Sequence, residues 1–207
     1  MSLTLSHKQQ IAIFISIAVL FTGLVGVTGY LLATLYSGNQ VNNRVSYTGD
    51  YRTAPNGTSV VPETKSSDID RLTFLIEEEK LAHDVYTKLY EKYGVRVFSS
   101  IARSETTHAN RIMELLDTRA IDDPRSSDIG VFKNTDLQKL YDSLIAQGYQ
   151  NVTEAYRVGV AIEQKDIADI EQDLKSIDSA QTDVVDALNA LLRGSQNHLQ
   201  AFNRQLG

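Results

Sequence analysis

From Ser67 onward the apolar residues recur every three to four positions, the spacing of one face of an α-helix. A first helix is predicted from Ser67, which stands three residues before Asp70 as a cap, with Leu72, Leu75, Ile76, Ala82, Tyr86, Leu89 and Tyr93 on one stripe and Gly94 as its stop. A second runs from about Phe98 to Arg119, with Phe98, Ile101, Ala102, Ile112, Leu115 and Leu116 inward, until Asp122, Asp123 and Pro124 break the pattern. After a connection to Asn134, a short amphipathic helix spans Thr135 to Gln147, opened by a Thr135-x-x-Gln138 capping box and ended by Gly148. A third long helix starts near Asn151 or Thr153, carries Ala155, Val158, Gly159, Ile162, Ile167, Ile170 and Leu174, and ends near Ile177. The last begins after Asp178 or Ser179 and carries Val184, Val185, Leu188, Leu191, Leu192, Leu199 and Phe202. Four helices of roughly 20–26 residues, one connection being long enough to carry a helix of its own, predict an all-α four-helix bundle with a crossover over residues 67–207.

The N-terminal part follows a different pattern. After a ten-residue tail, Ile11 to Tyr36 is a run of 26 mainly apolar residues, and no Asp, Glu, Lys or Arg occurs from Gln9 to Asn43. As a helix it would reach about 39 Å, enough to cross a hydrocarbon core of about 30 Å with tilt. A cleaved signal peptide has a shorter apolar region and a small-residue cleavage site, which Leu-Leu-Ala33 matches poorly. The expectation is therefore an uncleaved single-pass anchor in the cell membrane, touching lipid through residues 11–36 and followed by a flexible Gly, Pro, Ser and Asn-rich tether over 37–66. The tail length, the absence of Cys and an Asn56-Gly57-Thr58 triplet favour an extracytoplasmic domain.

The stripes of the four long helices carry residues that burial penalises. Glu79 lies between Leu75 and Ala82; Glu105 and His108 share a face, three apart, among Ile101, Ile112 and Leu115; Glu163 and Asp166 follow Ile162; Ser195 and His198 lie between Leu191 and Phe202. Several carboxylates facing one another in a core cost several kcal/mol each unless compensated, and divalent cations are the simplest compensation. A Glu-x-x-His pair offers one oxygen and one nitrogen to a single point, which suits iron, manganese or zinc. By chance, ten Glu and four His place such a pair in about one chain of five of this composition, so the register with the other helices carries the weight. The rival reading is a metal-free polar network with hydrogen-bonded core histidines. Glu77 and Glu78 fall off the stripe and are expected in solvent, with Glu78 the fallback ligand if the stripe is one residue out of phase; His83 is expected to be exposed, the alternative being a place behind a ligand; and Tyr86, Tyr90 and Tyr156 are expected to serve packing, the alternative being hydrogen bonds or radicals at the site. Gly159 and Gly194, unfavourable inside helices, hint at close backbone approach near the site.

Composition narrows the chemistry. The 207 residues contain no Cys, which excludes disulfides, thiolate metal sites and iron–sulfur clusters. The net charge of −6, without a basic stripe, argues against nucleic acid as a partner.

Glu79-Lys80-Leu81-Ala82, Ser104-Glu105-Thr106-Thr107-His108, Ile162-Glu163 and Gly194-Ser195-Gln196-Asn197-His198-Leu199-Gln200-Ala201-Phe202 resemble the ferritin-like, rubrerythrin-type bundles, and most closely an archaeal and bacterial ferritin-like domain family of unknown function. The resemblance covers about Ser67 to Gly207. It implies a di-metal centre, usually of two iron ions, used in that superfamily for oxygen or peroxide reduction, ferrous iron oxidation or hydrocarbon oxidation. Carried over by position, Glu79 is the helix 1 carboxylate, Glu105 and His108 the first Glu-x-x-His, Glu163 the helix 3 carboxylate and His198 the His of the second motif. Glu105 and Glu163 are expected to bridge the two ions, with Asp166 as a further ligand or as a partner of a ligating His. The departure is Ser195, where those proteins carry the second motif's Glu. Without Cys for a rubredoxin-type site, an oxidoreductase of this kind draws electrons from an external donor. The competing function is a non-catalytic accessory subunit of a membrane complex, surface assembly or homo-oligomer; metal storage or sensing ranks last.

Overall fold

A computed structural model describes residues 66–207; the expected tail, membrane span and nearly all of the tether lie outside the described residues. The described residues form five α-helices and contain no strand: α1 (Ser66–Tyr93), α2 (Arg96–Thr118), α3 (Thr135–Gly148), α4 (Val152–Ser176) and α5 (Thr182–Leu206). Among them no helix is long and apolar enough to cross a membrane.

The long helices pack as two hairpins, α1 with α2 and α4 with α5, and the hairpins meet through α1 against α4 and α2 against α5. Gly94 makes the first turn, with φ +66° and its N–H donating to the Tyr90 carbonyl at 2.8 Å. Glycine takes that left-handed conformation without the Cβ clash of other residues.

The apolar stripes close into two separate clusters. One holds Leu81, Val85, Tyr86, Leu89, Phe98, Ile101, Ala155, Val158, Ile162 and Phe202; the other holds Leu72, Ile76, Ile112, Leu116, Ile170, Val184, Leu188 and Leu191. Every long helix passes from one cluster to the other. α1 and α5 run from the second to the first, whereas α2 and α4 run from the first to the second. Helices in contact are therefore antiparallel, and the chain between the end of α2 and the start of α4 has to travel back along the length of the molecule. α3 lies on that return path, packing Leu137, Leu140, Tyr141 and Leu144 into the first cluster against α1 and α4.

Local details differ from the sequence reading. Asn134, not Thr135, caps α3: its side chain accepts from the N–H groups of Asp136 and Leu137. Gln138 instead holds the preceding segment, accepting from Phe132 N and donating to the Gly130 carbonyl. Asn151 caps α4, accepting from the Glu154 N–H at 2.9 Å. Gly148 ends α3 from inside the helix, and a Cβ there would lie 2.7 Å from Leu89.

Glu77 and Glu78 are buried, against the expectation of solvent. A single stripe leaves them outside, but α3 covers a second face of α1. Glu78 pairs there with Lys165 of α4, which also pairs with Asp169 one turn on. Burial works against the Lys165 charge, and the two carboxylates more than offset it, holding the ammonium protonated. Lys80 binds Asp84 and donates to the Asp128 carbonyl at 2.9 Å, while Gly130 N–H donates to the same Asp84 at 2.8 Å. These bonds fasten the return segment to α1. His83 is about one-third exposed, with Nδ1 2.9 Å from Asp84.

Gly159 explains its place in the middle of α4. A Cβ there would come within 2.7 Å of three atoms of the Phe202 ring, which is fully buried. Gly159→Ala gains about 1 kcal/mol of helix propensity but overpacks a ring that has nowhere to move, at a cost of about 1–3 kcal/mol. Urea denaturation is expected to give a lower midpoint for Gly159→Ala; a raised midpoint would mean that the two helices separate freely at this point.

Candidate metal centre

The two apolar clusters are divided by a layer of polar side chains. Each long helix crosses from one cluster to the other at Glu79 on α1, Glu105 and His108 on α2, Glu163 on α4, and Ser195 and His198 on α5, and all six are buried. A three- or four-residue step along each stripe brings these residues to the same level, because the helices are antiparallel neighbours and the stripes face a common axis.

Two groups of converging ligand atoms result, Glu79 with Glu105 and His108, and Glu105 with Glu163 and His198. Glu105 belongs to both. Its Oε2 lies 2.9 Å from His108 Nδ1 and its Oε1 3.0 Å from His198 Nδ1. Glu79 Oε2 is 3.3 Å from His108 Nδ1, and Glu163 Oε2 is 3.5 Å from His198 Nδ1. The imidazoles face each other across Glu105 with ring centroids 5.5 Å apart.

Five atoms of this layer, Glu79 Oε2, Glu105 Oε1, His108 Nδ1, Glu163 Oε2 and His198 Nδ1, are buried without completing a hydrogen bond. Proximity alone does not satisfy them: the separations allow charge attraction, but the atoms are not directed at one another's protons. Buried polar atoms left this way cost about 1–3 kcal/mol each. Their convergence in two groups is an arrangement that cation ligands adopt, and three carboxylates with two imidazole nitrogens fit divalent iron, manganese or zinc.

The electrostatics agree with this geometry. Burial raises the Glu79 carboxyl to about 7, the Glu105 charge adding to the shift and His108 opposing it. Burial and the Glu105 charge raise Glu163 to about 8 against His198 and Tyr86. For Glu105, burial is outweighed by the two histidines, and its carboxyl is lowered. Burial disfavours both imidazolium forms, yet the carboxylates raise His108 to about 10 and His198 to about 9.

Residues around the layer orient it. The Tyr86 hydroxyl donates to Glu163 Oε1 at 2.7 Å, so Tyr86 touches the site as well as packing against Phe202. Tyr156 stacks on Phe98, as expected of packing, and Tyr90 is largely exposed. His198 Nε2 lies 2.9 Å from Ser104 Oγ, a contact the sequence reading missed although Ser104 precedes Glu105. A Cβ on Gly194 would fall 2.3 Å from His108 Nε2, so the expected close backbone approach is at the ring itself.

Two of the expected ligands stand differently from the rest. Glu163 joins only the second group, leaving Glu105 as the one carboxylate common to both. Asp166 stands outside both groups and lines a small cavity with Glu78, Lys165, Leu137 and Leu140. Burial, followed by the charges of Glu163, Glu79 and Glu78, raises its carboxyl well above the usual range. Ser195, at the position of the missing carboxylate, turns its hydroxyl back to the Leu191 carbonyl at 3.2 Å and offers nothing to the centre.

The chain matches, over residues 68–207, the family described as "Uncharacterized protein domain (DUF2202)". The chain belongs to that family. It is similar, at 42% identity over 131 residues, to "Uncharacterized protein MJ0754" of Methanocaldococcus jannaschii, covering 63% of this chain and 70% of that protein. The crystal structure of hypothetical protein MJ0754 from Methanococcus jannaschii DSM 2661 superposes with a TM-score of 0.67 at 36% identity, covering 75% of this chain and 85% of that one.

The raised groups set a pH dependence. Glu79, Glu163, His108 and His198 all bind protons more tightly folded than unfolded, so the folded state carries more protons and stability falls as pH rises. The carboxyls begin this loss above their ordinary value of 4.5 and the histidines above 6.5, and it continues as pH rises through the folded values of about 8 for Glu163 and about 10 for His108. In chelator, the urea midpoint is expected to be higher at about pH 5.5 than at about pH 8.5; with divalent metal the order reverses, because metal competes with those protons. A chelated protein more stable at the higher pH would overturn this assignment of charges.

Proposed function

We propose that the domain is a ferritin-like four-helix bundle holding two metal ions, most naturally iron, as a membrane-anchored oxidoreductase that reduces oxygen or peroxide or oxidises ferrous iron. The observation that carries this reading is the convergence of five buried, unsatisfied ligand atoms in two groups that share Glu105. The choice of iron over manganese or zinc, which the same donors accept, and the redox chemistry rest on the resemblance to rubrerythrin-type proteins.

Glu79, His108 and Glu105 would hold one ion, and Glu163, His198 and Glu105 the other. The chemistry that such a pair supplies is electron transfer to oxygen or peroxide, or from ferrous iron. The chain's own part is to hold the ligands and to keep bulk water away with the apolar clusters on either side. The Tyr86 hydroxyl fixes the free oxygen of Glu163. Electrons come from an external donor, since the chain has no Cys for a second iron site. Residues 11–36 anchor the protein in lipid with the domain on the extracytoplasmic side.

Elemental analysis of the full chain, purified without added metal, tests the reading. About two iron or manganese ions per chain are expected, lost in Glu105→Ala, together with near-ultraviolet absorption that grows when iron and oxygen are supplied. A folded chain that takes up no metal would leave the layer as a polar network and remove the basis for an enzyme.

A further inference from the structure

The two groups of ligands are not equally prepared. In the second, both terminal ligands are held from behind: Tyr86 OH donates to the outer oxygen of Glu163 at 2.7 Å, and Ser104 Oγ meets His198 Nε2 at 2.9 Å. In the first, His108 Nε2 lies against Gly194, where a Cβ would fall 2.3 Å away and no side chain is present to hold the ring. The contrast arises from one position in the two related motifs. Ser104 precedes Glu105 on α2 and Gly194 precedes Ser195 on α5, and each residue backs the histidine of the opposite helix. A serine fixes a ring where a glycine only makes room for one.

The geometry points to a ranked pair of cation sites: Glu105, Glu163 and His198 take the first divalent ion, Glu79 and His108 take the second against the shared Glu105, and Ser104 is the positioning residue that sets this order. With a cation in place of its Nδ1 proton, His198 would keep Nε2–H for Ser104 and turn the Nδ1 lone pair toward Glu105 and Glu163, the tautomer that a metal needs. Loss of such an outer partner ordinarily weakens metal binding about 10–100-fold. The missing carboxylate at Ser195 sharpens the ranking, since Glu105 alone is common to both groups and the first ion engages it already. This inference rests on the metal-binding reading above.

The test is titration of the metal-stripped full chain with Co2+, followed by its visible absorption and by competition with a chelator of known affinity. Two resolved steps are expected. Ser104→Ala should weaken the first by about tenfold or more, and Ser104→Thr, which keeps the hydroxyl, should restore it. Gly194→Ala, whose added Cβ would displace the His108 ring, should weaken the second step and leave the first unchanged. A single equivalent with the same response to Ser104→Ala and none to Gly194→Ala is the limiting case of the ranking and supports it. Ser104 is half-buried on a helix and Ala favours helix, so the metal-free melting curve of Ser104→Ala should match the parent and exclude misfolding. Two equal, unresolved equivalents, or a Ser104→Ala chain weakened in both steps alike, would overturn the ranking while leaving metal binding intact. No cobalt bound by the parent chain would overturn the metal-binding reading itself.

Discussion

The structure depends on how this chain meets the cost of placing three carboxylates and two imidazoles across the middle of its own core. Each ion removed from water costs several kcal/mol, and like charges at this separation add repulsion. Burial raises Glu79 and Glu163 toward the neutral form, while the carboxylates around them raise His108 and His198 toward the charged form. The balance remains incomplete in hydrogen bonding, because five ligand atoms lack directed partners. The apolar clusters above and below stabilise the four helices on either side of this seam and hold it closed.

A second polar seam lies beneath α3, where Lys165 is enclosed between Glu78 and Asp169. It differs in kind from the central layer. Its cation is a side chain fixed by the sequence, and its charges are paired before anything binds. In the central layer the ion pairs of Glu79, Glu105 and Glu163 run to His108 and His198 instead, side chains that can give up a proton where Lys165 keeps its own.

The stripe arithmetic was a good guide wherever one face of a helix meets one common axis. Glu79, Glu105, His108, Glu163 and His198 were legible because each interrupts an apolar stripe in register. Glu77, Glu78, Lys165 and Asp169 were not, because a fifth helix covers a second face of α1 and α4, and no single stripe encodes that. The available signals were the run of three glutamates at 77–79 and the Lys165–Asp169 spacing of four. Asp166 shows the limit from the other side: it follows Glu163 by one turn, yet that turn carries it toward α3 and away from the two groups.

By itself the sequence determined the number and approximate ends of the helices, the long return connection and which residues would resist burial, since these follow from local periodicity and side-chain chemistry. The tertiary structure alone decided that Glu105 is the carboxylate both groups share, that Tyr86 and Ser104 brace one group, and that Gly194 yields its space to His108. Those outcomes depend on ångström-scale distances between helices far apart in the chain, and a difference of one side chain, serine against glycine, becomes meaningful only once the opposite helix is in place.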